Sequence, residues 1–490
     1  MTQPSQPTVA IAGGGLAGLS AACALADSGF HVTVIERRPF LGGRASSYEH
    51  PGTGEVVDNC QHVLFGCCTN LIEFYRRIGV EDKIRWYDRM TFLEPGGRAS
   101  ELAPSSLPAP LHTAPAFLRL KFLNASDKLS IARAMSSLVP TVLRDSGESF
   151  LSWLQRHRQT ARAIHRFWEP VLVSALSEDL DRVSVSAAAQ VVRVSMQSPA
   201  ARLMGVPSIP LTDLYHAAQT YITSRGGQIQ FRSSLDAFHE AGAGLNTGAG
   251  PATPPVRLQI NGNETAFDYL ILALPYAGLA RVLPLTPESQ SLREKIEHFE
   301  SAPITGIHLW FDRQISELDH AILLDRTIQW MFHKSRIQAR ERGLPDEERD
   351  SINQAASGPE PSYVELVVSA SKSLIDKSRA EIVEMAVREL REFFPAAREA
   401  NLMKSTVIKE VHATYSPRPG IDAYRPTSQT LWPRIFLAGD WTATGWPATM
   451  EGAVRSGYLA AEALLRSAGL PKKAFLVADL PASGFMRLFE

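Results

Sequence analysis

The sequence predicts an α/β fold in which two domains interleave along the chain, and three observations predict it. An apolar strand, Thr8–Ala12, runs through a glycine turn into an Ala- and Leu-rich helix, Leu16–Ala26, and then a second strand, His31–Ile35. That order is the βαβ unit of a parallel sheet. A second strand–turn–helix segment, Arg434–Ala438 followed by Thr449–Arg466, recurs near the far end. Finally, 490 residues exceed a single core, since domains usually run to about 100–200 residues.

The glycine turn reads Gly13-Gly14-Gly15-Leu16-Ala17-Gly18. Gly13 permits the tight turn, Gly15 lets a phosphate approach the backbone, and Gly18 lets the helix lie close on the strand. Leu16 and Ala17 open the helix, whose positive end faces a pyrophosphate. Glu36 ends the next strand, where an acid binds a ribose hydroxyl and repels the 2′-phosphate of NADP. Arg37 beside it is counted with the cofactor residues. Together these features predict a Rossmann-like dinucleotide-binding domain.

Further along, Leu71, Phe74, Tyr75 and Ile78 repeat at helical spacing over Thr69–Ile78, with Gly79 as the stop. Residues 100–200 read as mostly helical and rich in Phe and Trp. Gln228–Phe231 and Tyr269–Leu274 read as further strands of the first sheet. Gly306–Phe311 and Tyr363–Ser369 read as strands of a second sheet, and Glu381–Phe394 as a helix. Ala241–Pro255 reads as a surface loop, and Arg336–Pro361 as an exposed excursion. The expected boundaries are 1–80, 201–280 and 416–470 for the discontinuous nucleotide domain. Segment 81–200 forms a mainly helical substrate or cap region, 281–415 a substrate-domain sheet with helices, and 471–490 a tail.

After Glu36 comes Leu41-Gly42-Gly43-Arg44-Ala45. Here the sequence resembles the flavin family of amine oxidases and phytoene desaturases. The resemblance implies FAD, with Gly42, Gly43 and Arg44 on its pyrophosphate. The late segment, Ala438-Gly439-Asp440 and then Trp446-Pro447-Ala448-Thr449-Met450, is similar to the family's closing element. It places Gly439 and Asp440 near the ribityl or phosphate region, and Thr449 and Met450 at a helix start facing the flavin's electron-rich edge. No cysteine follows Cys68, so a thioether to flavin in this late segment is excluded and the FAD is non-covalent.

Two internal runs, Val57–Cys68 and Pro303–Phe311, resemble the hydroxysqualene dehydroxylases, also called squalene-associated FAD-dependent desaturases. This resemblance implies reductive conversion of hydroxysqualene to squalene, feeding hopanoid or sterol synthesis. Hydroxide is a poor leaving group, so the reaction needs a proton donor. His62 is the first candidate, with Asp58 and Gln61 orienting it or the substrate hydroxyl; His308 and Glu365 are further candidates. A carotenoid-type desaturase and an FAD-containing isoprenoid escort are the alternatives. Amine oxidation is disfavoured, because such enzymes often carry a lysine in the central sheet and Gly306–Phe311 has none.

A net charge of -1 argues against a nucleic-acid partner. Four cysteines, all early and with Cys67 and Cys68 adjacent, fit neither a disulfide framework nor a metal site and point to a reducing cytoplasm. With no second glycine motif, a separate flavin reductant is expected. A hydrocarbon substrate implies peripheral docking on the inner face of the cytoplasmic membrane. Leu111–Ala134 and Lys472–Phe489 mix apolar and basic residues as interfacial segments do.

Overall fold

Val9, Ile11, Val32 and Val34 are β-branched and fully buried, as expected of strands covered on both faces. In a computed structural model, which describes residues 6–139, 145–240, 256–339 and 361–489, they form the centre of a five-stranded parallel sheet. Its order is Gln228–Phe231, His31–Glu36, Thr8–Ala12, Tyr269–Leu272, Ile435–Leu437. The strands come from both ends and the middle of the chain, so the sheet itself is discontinuous.

The two motif helices close this domain. Leu16–Ala26 is buried along its whole length and crosses Met450–Ser467. The crossing is set by Gly457, where a Cβ would lie 2.1 Å from Ser20 Oγ and 2.2 Å from Ala17 O. The Ser20 hydroxyl donates to Val454 O at 3.2 Å. The early and late segments are thus locked together by close backbone contact.

The second sheet has seven strands in the order Leu402–Tyr415, Ser301–Phe311, Ser362–Ser369, Trp330–His333, His320–Leu323, Met90–Leu93, Ala99–Leu102. Helix Arg379–Phe393 buries Ile382, Ala386, Leu390 and Phe393 against it. Two of these strands fall in the segment expected to be mainly helical, and His320–Leu323, Trp330–His333 and Leu402–Tyr415 have no counterpart in the sequence reading. In the same segment, strand Ile84–Tyr87 pairs with Met204–Pro207 in a separate small sheet. Among its other described residues, helices gather around Phe150, Trp153, Phe167 and Trp168, with Phe92 from the large sheet packed in the same core.

The exposed excursion expected from Arg336 begins instead as part of a helix, Lys334–Ala339, with Ile337 fully buried. Its remainder, residues 340–360, lies outside the described residues, as does the expected loop Ala241–Pro255.

Candidate active site

The first glycine turn has the geometry its residues imply. Gly13 has φ +112° and donates to Ile35 O at 2.8 Å. A Cβ on Gly18 would fall 1.9 Å from Gly13 O, whereas one on Gly15 would meet only Gly43 Cα at 3.8 Å and Gly42 O at 3.9 Å. Gly13 and Gly18 therefore serve the turn and the packing, while Gly15 faces space. Gly15 also caps the Leu16–Ala26 helix without a side chain, leaving the first-turn amides, beginning at Leu16 and Ala17, without a side-chain cap. Such a terminus suits a pyrophosphate.

The second turn folds over the first. Gly42 and Gly43 have φ +102° and +63°, Gly42 N donates to Gly14 O at 2.9 Å, and Gly15 bridges Gly42. Glu36 accepts from the amides of Gly14 and Arg38, both at 2.7 Å, which fixes its carboxylate at the end of its strand. Arg37 is exposed and is not the arginine folded over this site. Its neighbour Arg38 is, donating from Nη1 to Gly43 O at 2.8 Å.

Arg44 joins the two halves of the cleft, its Nη2 lying 2.6 Å from Asp440 Oδ1 and its Nη1 2.8 Å from Ala413 O. Asp440 thus engages Arg44, and Gly439 N donates to Ser456 Oγ at 2.8 Å. Thr449 caps the late helix, its Oγ1 accepting from Gly452 N at 3.1 Å, which leaves the leading amide of Met450 for a ligand. Glu451 anchors this terminus to the helix Thr69–Ile78 through Asn70 Nδ2 at 2.9 Å and Leu71 N at 2.8 Å. Two glycine turns, two helix N-termini and a bridging arginine fit FAD.

Beside this cleft lies a buried charged cluster that the sequence reading saw only in part. Lys334 Nζ donates to Asp58 Oδ2 at 2.7 Å and to Gln61 Oε1 at 2.8 Å, and stands 3.7 Å from Glu365 Oε2. The Lys334, Asp58 and Glu365 side chains are at most 2% exposed. Asp58 Oδ1 also accepts from Ser47 Oγ at 2.6 Å and Leu211 N at 3.2 Å. Although burial acts to raise it, the Lys334 ammonium and these hydrogen bonds hold the Asp58 carboxyl below its ordinary value. Glu365 differs. Neither of its oxygens has a hydrogen-bond partner, and burial, opposed by Lys334 and reinforced by Asp58, pushes its carboxyl up to about 8. At neutral pH it is a carboxylic acid. The signal for Lys334 was a lysine closing the buried run Trp330–His333.

This alters two expectations. The stretch Gly306–Phe311 has no lysine, and a Cβ at Gly306 would lie 3.4 Å from Asn59 O. A lysine nevertheless reaches the same Asp58–Gln61 segment from the first position of the helix that follows strand Trp330–His333 of that sheet, so the argument against amine oxidation loses its basis. His62 does not have the geometry of a proton donor. Its Nδ1 meets Cys60 O at 2.6 Å, which requires the N–H there, and burial lowers its pKa. A neutral ring so held presents a lone pair at Nε2. His308 faces Glu365 across paired strands, its Nδ1 2.8 Å from Tyr363 Oη, and burial lowers it to about 3.

Comparison with known proteins gives a consistent result. The family model described as flavin containing amine oxidoreductase matches residues 16–465. Among curated proteins, the chain is 27% identical to the 15-cis-phytoene desaturase of Synechococcus elongatus, over 94% of this chain and 98% of that protein. It is 26% identical to the zeta-carotene desaturase of Synechocystis sp., over 93% and 97%. Among solved structures, an oxidoreductase from Methanosarcina mazei superposes with a TM-score of 0.66 at 17% identity, over 92% of this chain and 98% of that one. A putrescine oxidase superposes with a TM-score of 0.66 at 16% identity, over 95% and 99%.

Proposed function

Since the chain belongs to the flavin containing amine oxidoreductase family, we propose that it is an FAD-dependent oxidoreductase that exchanges a hydride with a long isoprenoid chain. The observation that carries the substrate class is its likeness, along nearly its whole length, to enzymes named as phytoene and zeta-carotene desaturases. The apolar helical body supports it: Phe122, Phe150, Trp153, Phe167 and Trp168 pack in one cluster that extends to Cys60, within the Asp58–His62 segment.

Kinship favours desaturation of a carotenoid-type polyene over the hydroxysqualene chemistry expected from the two internal runs. Bound FAD supplies a hydride acceptor or, when reduced, a donor. This chain's own groups supply the rest. Lys334 holds Asp58 and Gln61 in place. His62, with a lone pair at Nε2, is suited to take the proton that leaves when a C–H bond next to the oxidised carbon becomes a double bond.

One observation favours a second reading, reductive dehydroxylation of hydroxysqualene. There the carbon–oxygen bond breaks, hydride fills the carbon, and a proton must join the departing hydroxide to make water. Glu365, buried and protonated at neutral pH, is suited to give that proton.

For either substrate the enzyme must meet a bilayer, and a cytoplasmic protein docked peripherally on an anionic leaflet and served by a separate reductant fits this reading. Among the described residues no helix is long and apolar enough to cross a membrane. Exposed Leu111, Leu118, Phe485, Leu488 and Phe489 instead form a ledge. It is held together where Phe485 N donates to Ala109 O at 2.8 Å. Arg119, Lys121 and Arg487 are exposed beside it.

The test is an anaerobic single turnover run in both directions. Oxidised holoenzyme mixed with phytoene should lose flavin absorbance and yield a desaturated polyene. If instead only the chemically reduced enzyme reacts, reoxidising with stoichiometric squalene from hydroxysqualene, the second reading replaces the first. Inertness toward both lipids would overturn the isoprenoid assignment.

A further inference from the structure

Arg202 and His112 are two buried groups that the flavin chemistry does not use. Arg202 ends the short helix Ala200–Arg202 and is 7% exposed; His112 lies in the turn Leu111–Thr113 and is fully buried. Among the described residues no side chain or carbonyl accepts from the Arg202 guanidinium, and its Nη1 is buried without a partner. Both ring nitrogens of His112 are likewise buried and unpartnered. Buried arginines are ordinarily paired, because an unpaired charge in an apolar surround is costly. Here the arginine's neighbour is another donor-bearing ring. Burial and Arg202 lower His112 to about 4, and burial lowers Arg202 to about 10. At neutral pH the pair therefore carries one positive charge and an excess of donors.

Three segments converge on this place. The Ser105 amide and hydroxyl both donate to His112 O, at 2.6 and 2.8 Å, pinning the turn. Ser483 N donates to Gln197 O at 3.0 Å, tying the C-terminal turn to the stretch that carries Arg202. Gly484 sits so close to the first segment that a Cβ would lie 2.7 Å from Ala109 N and from Pro108 Cβ. On the outside of the same segments Leu111 and Phe485 are exposed. A cationic, donor-rich interior beneath an apolar rim matches a ligand with an anionic oxygen group and an apolar body.

We infer that Arg202 and His112 form a binding site for an oxyanion, the phosphate or carboxylate group of an amphiphile seated between the 105–113 turn and the C-terminal turn. Arg202 contributes the charge and a planar array of N–H donors. His112 contributes one neutral N–H. The inference does not depend on which isoprenoid reaction the enzyme carries out.

The test uses FAD-loaded protein and follows the melting temperature with three probes: inorganic phosphate, dihexanoyl phosphatidic acid and dihexanoyl phosphatidylcholine. Ligand binding to the folded state alone raises the melting temperature. Phosphatidic acid should raise it saturably by several degrees, and Arg202→Met should abolish the response. Without ligand, Arg202→Met should melt higher than the parent, since it removes an unpaired buried charge. An equal response to inorganic phosphate would identify a free oxyanion as the occupant and sustain the site. Phosphatidylcholine matching phosphatidic acid, no shift with either anion, or an undiminished shift in Arg202→Met would each overturn it. Should Arg202→Met fail to retain FAD, His112→Phe carries the same test: at least a tenfold weaker midpoint for phosphatidic acid is expected, and an unchanged midpoint overturns the site.

Discussion

Lys334 Nζ lies 2.7 Å from Asp58 Oδ2 across 276 residues of chain, with both side chains almost wholly buried. Removing one partner leaves the other charged and unsolvated, which costs about 3–5 kcal/mol. Asp58→Ala and Lys334→Met should each lose that much in urea unfolding, and the double variant should lose less than the sum. Because the Asp58 carboxyl is held below its ordinary value, its contribution is full above the unfolded value of about 4. It fades as pH falls through the folded value. Acid unfolding of Asp58→Asn should therefore begin from a lower plateau and show a shallower pH slope. Additive losses in the double variant would contradict the pairing.

Glu365 carries the opposite sign. Its carboxyl stays protonated in the folded state up to about pH 8, while in the unfolded chain it ionises near pH 4.3. Folding thus takes up a proton between those values, and stability falls as pH rises through this window by on the order of a few kcal/mol. Glu365→Gln should remove that decline and melt higher than the parent at pH 8. If Glu365 is the proton donor, the same variant should lose at least about a hundredfold in turnover while binding FAD normally. His62→Gln should lose little in the reductive direction. Full turnover by Glu365→Gln would remove the observation behind the dehydroxylation reading.

Gly15 and Gly18 separate cofactor contact from packing. Gly15 has φ −80° and a Cβ there meets nothing closer than 3.8 Å, whereas one at Gly18 falls 1.9 Å from a carbonyl. Gly15→Ala should fold with an unchanged apoprotein melting temperature yet retain FAD at least about tenfold more weakly, since the methyl occupies the place of the pyrophosphate. Gly18→Ala should unfold earlier with or without FAD. Circular dichroism on stripped protein and flavin titration distinguish the two. Normal FAD affinity in Gly15→Ala would remove that residue from the site.

The cofactor half of the site was legible because its contacts are local and backbone-borne: Gly13, Gly18 and Glu36 sit within one βαβ unit, where spacing dictates position. Even there, side-chain direction escaped the reading, and Arg38 rather than Arg37 folds over Gly43. The chemical half was illegible for a different reason. Lys334 and Glu365 meet because strands of a seven-stranded sheet are ordered 362–369 beside 330–333. Asp58 joins them from the separate strand pair of Ser47–Glu49 and Val56–Asp58, and nothing local encodes that arrangement. The strand Leu402–Tyr415 was missed because its exposed positions come in adjacent pairs that mix apolar and polar residues, Met403–Lys404 and Val411–His412, which blurs the two-residue alternation.

The ledge of Leu111, Leu118, Phe485, Leu488 and Phe489 is the last feature open to a direct test. Leu118 and Leu488 are 65% and 77% exposed, and they lie on two segments that the fold brings together. Between residues 103 and 134 the only acid is Asp127, which caps its own helix through Asn124, while Arg119, Lys121, Lys128 and Arg133 supply positive charge. An anionic leaflet complements that balance, and its contribution should be screened by salt. Holoenzyme should float with phosphatidylglycerol vesicles at low salt and less so at high salt, and bind phosphatidylcholine weakly. Leu118→Glu with Leu488→Glu should cut the floated fraction at least about tenfold while leaving FAD content and the melting temperature unchanged. If the double variant floats as well as the parent, this face is not the docking surface. If it instead turns a dimeric parent into a monomer, the ledge is covered by a second copy of the chain.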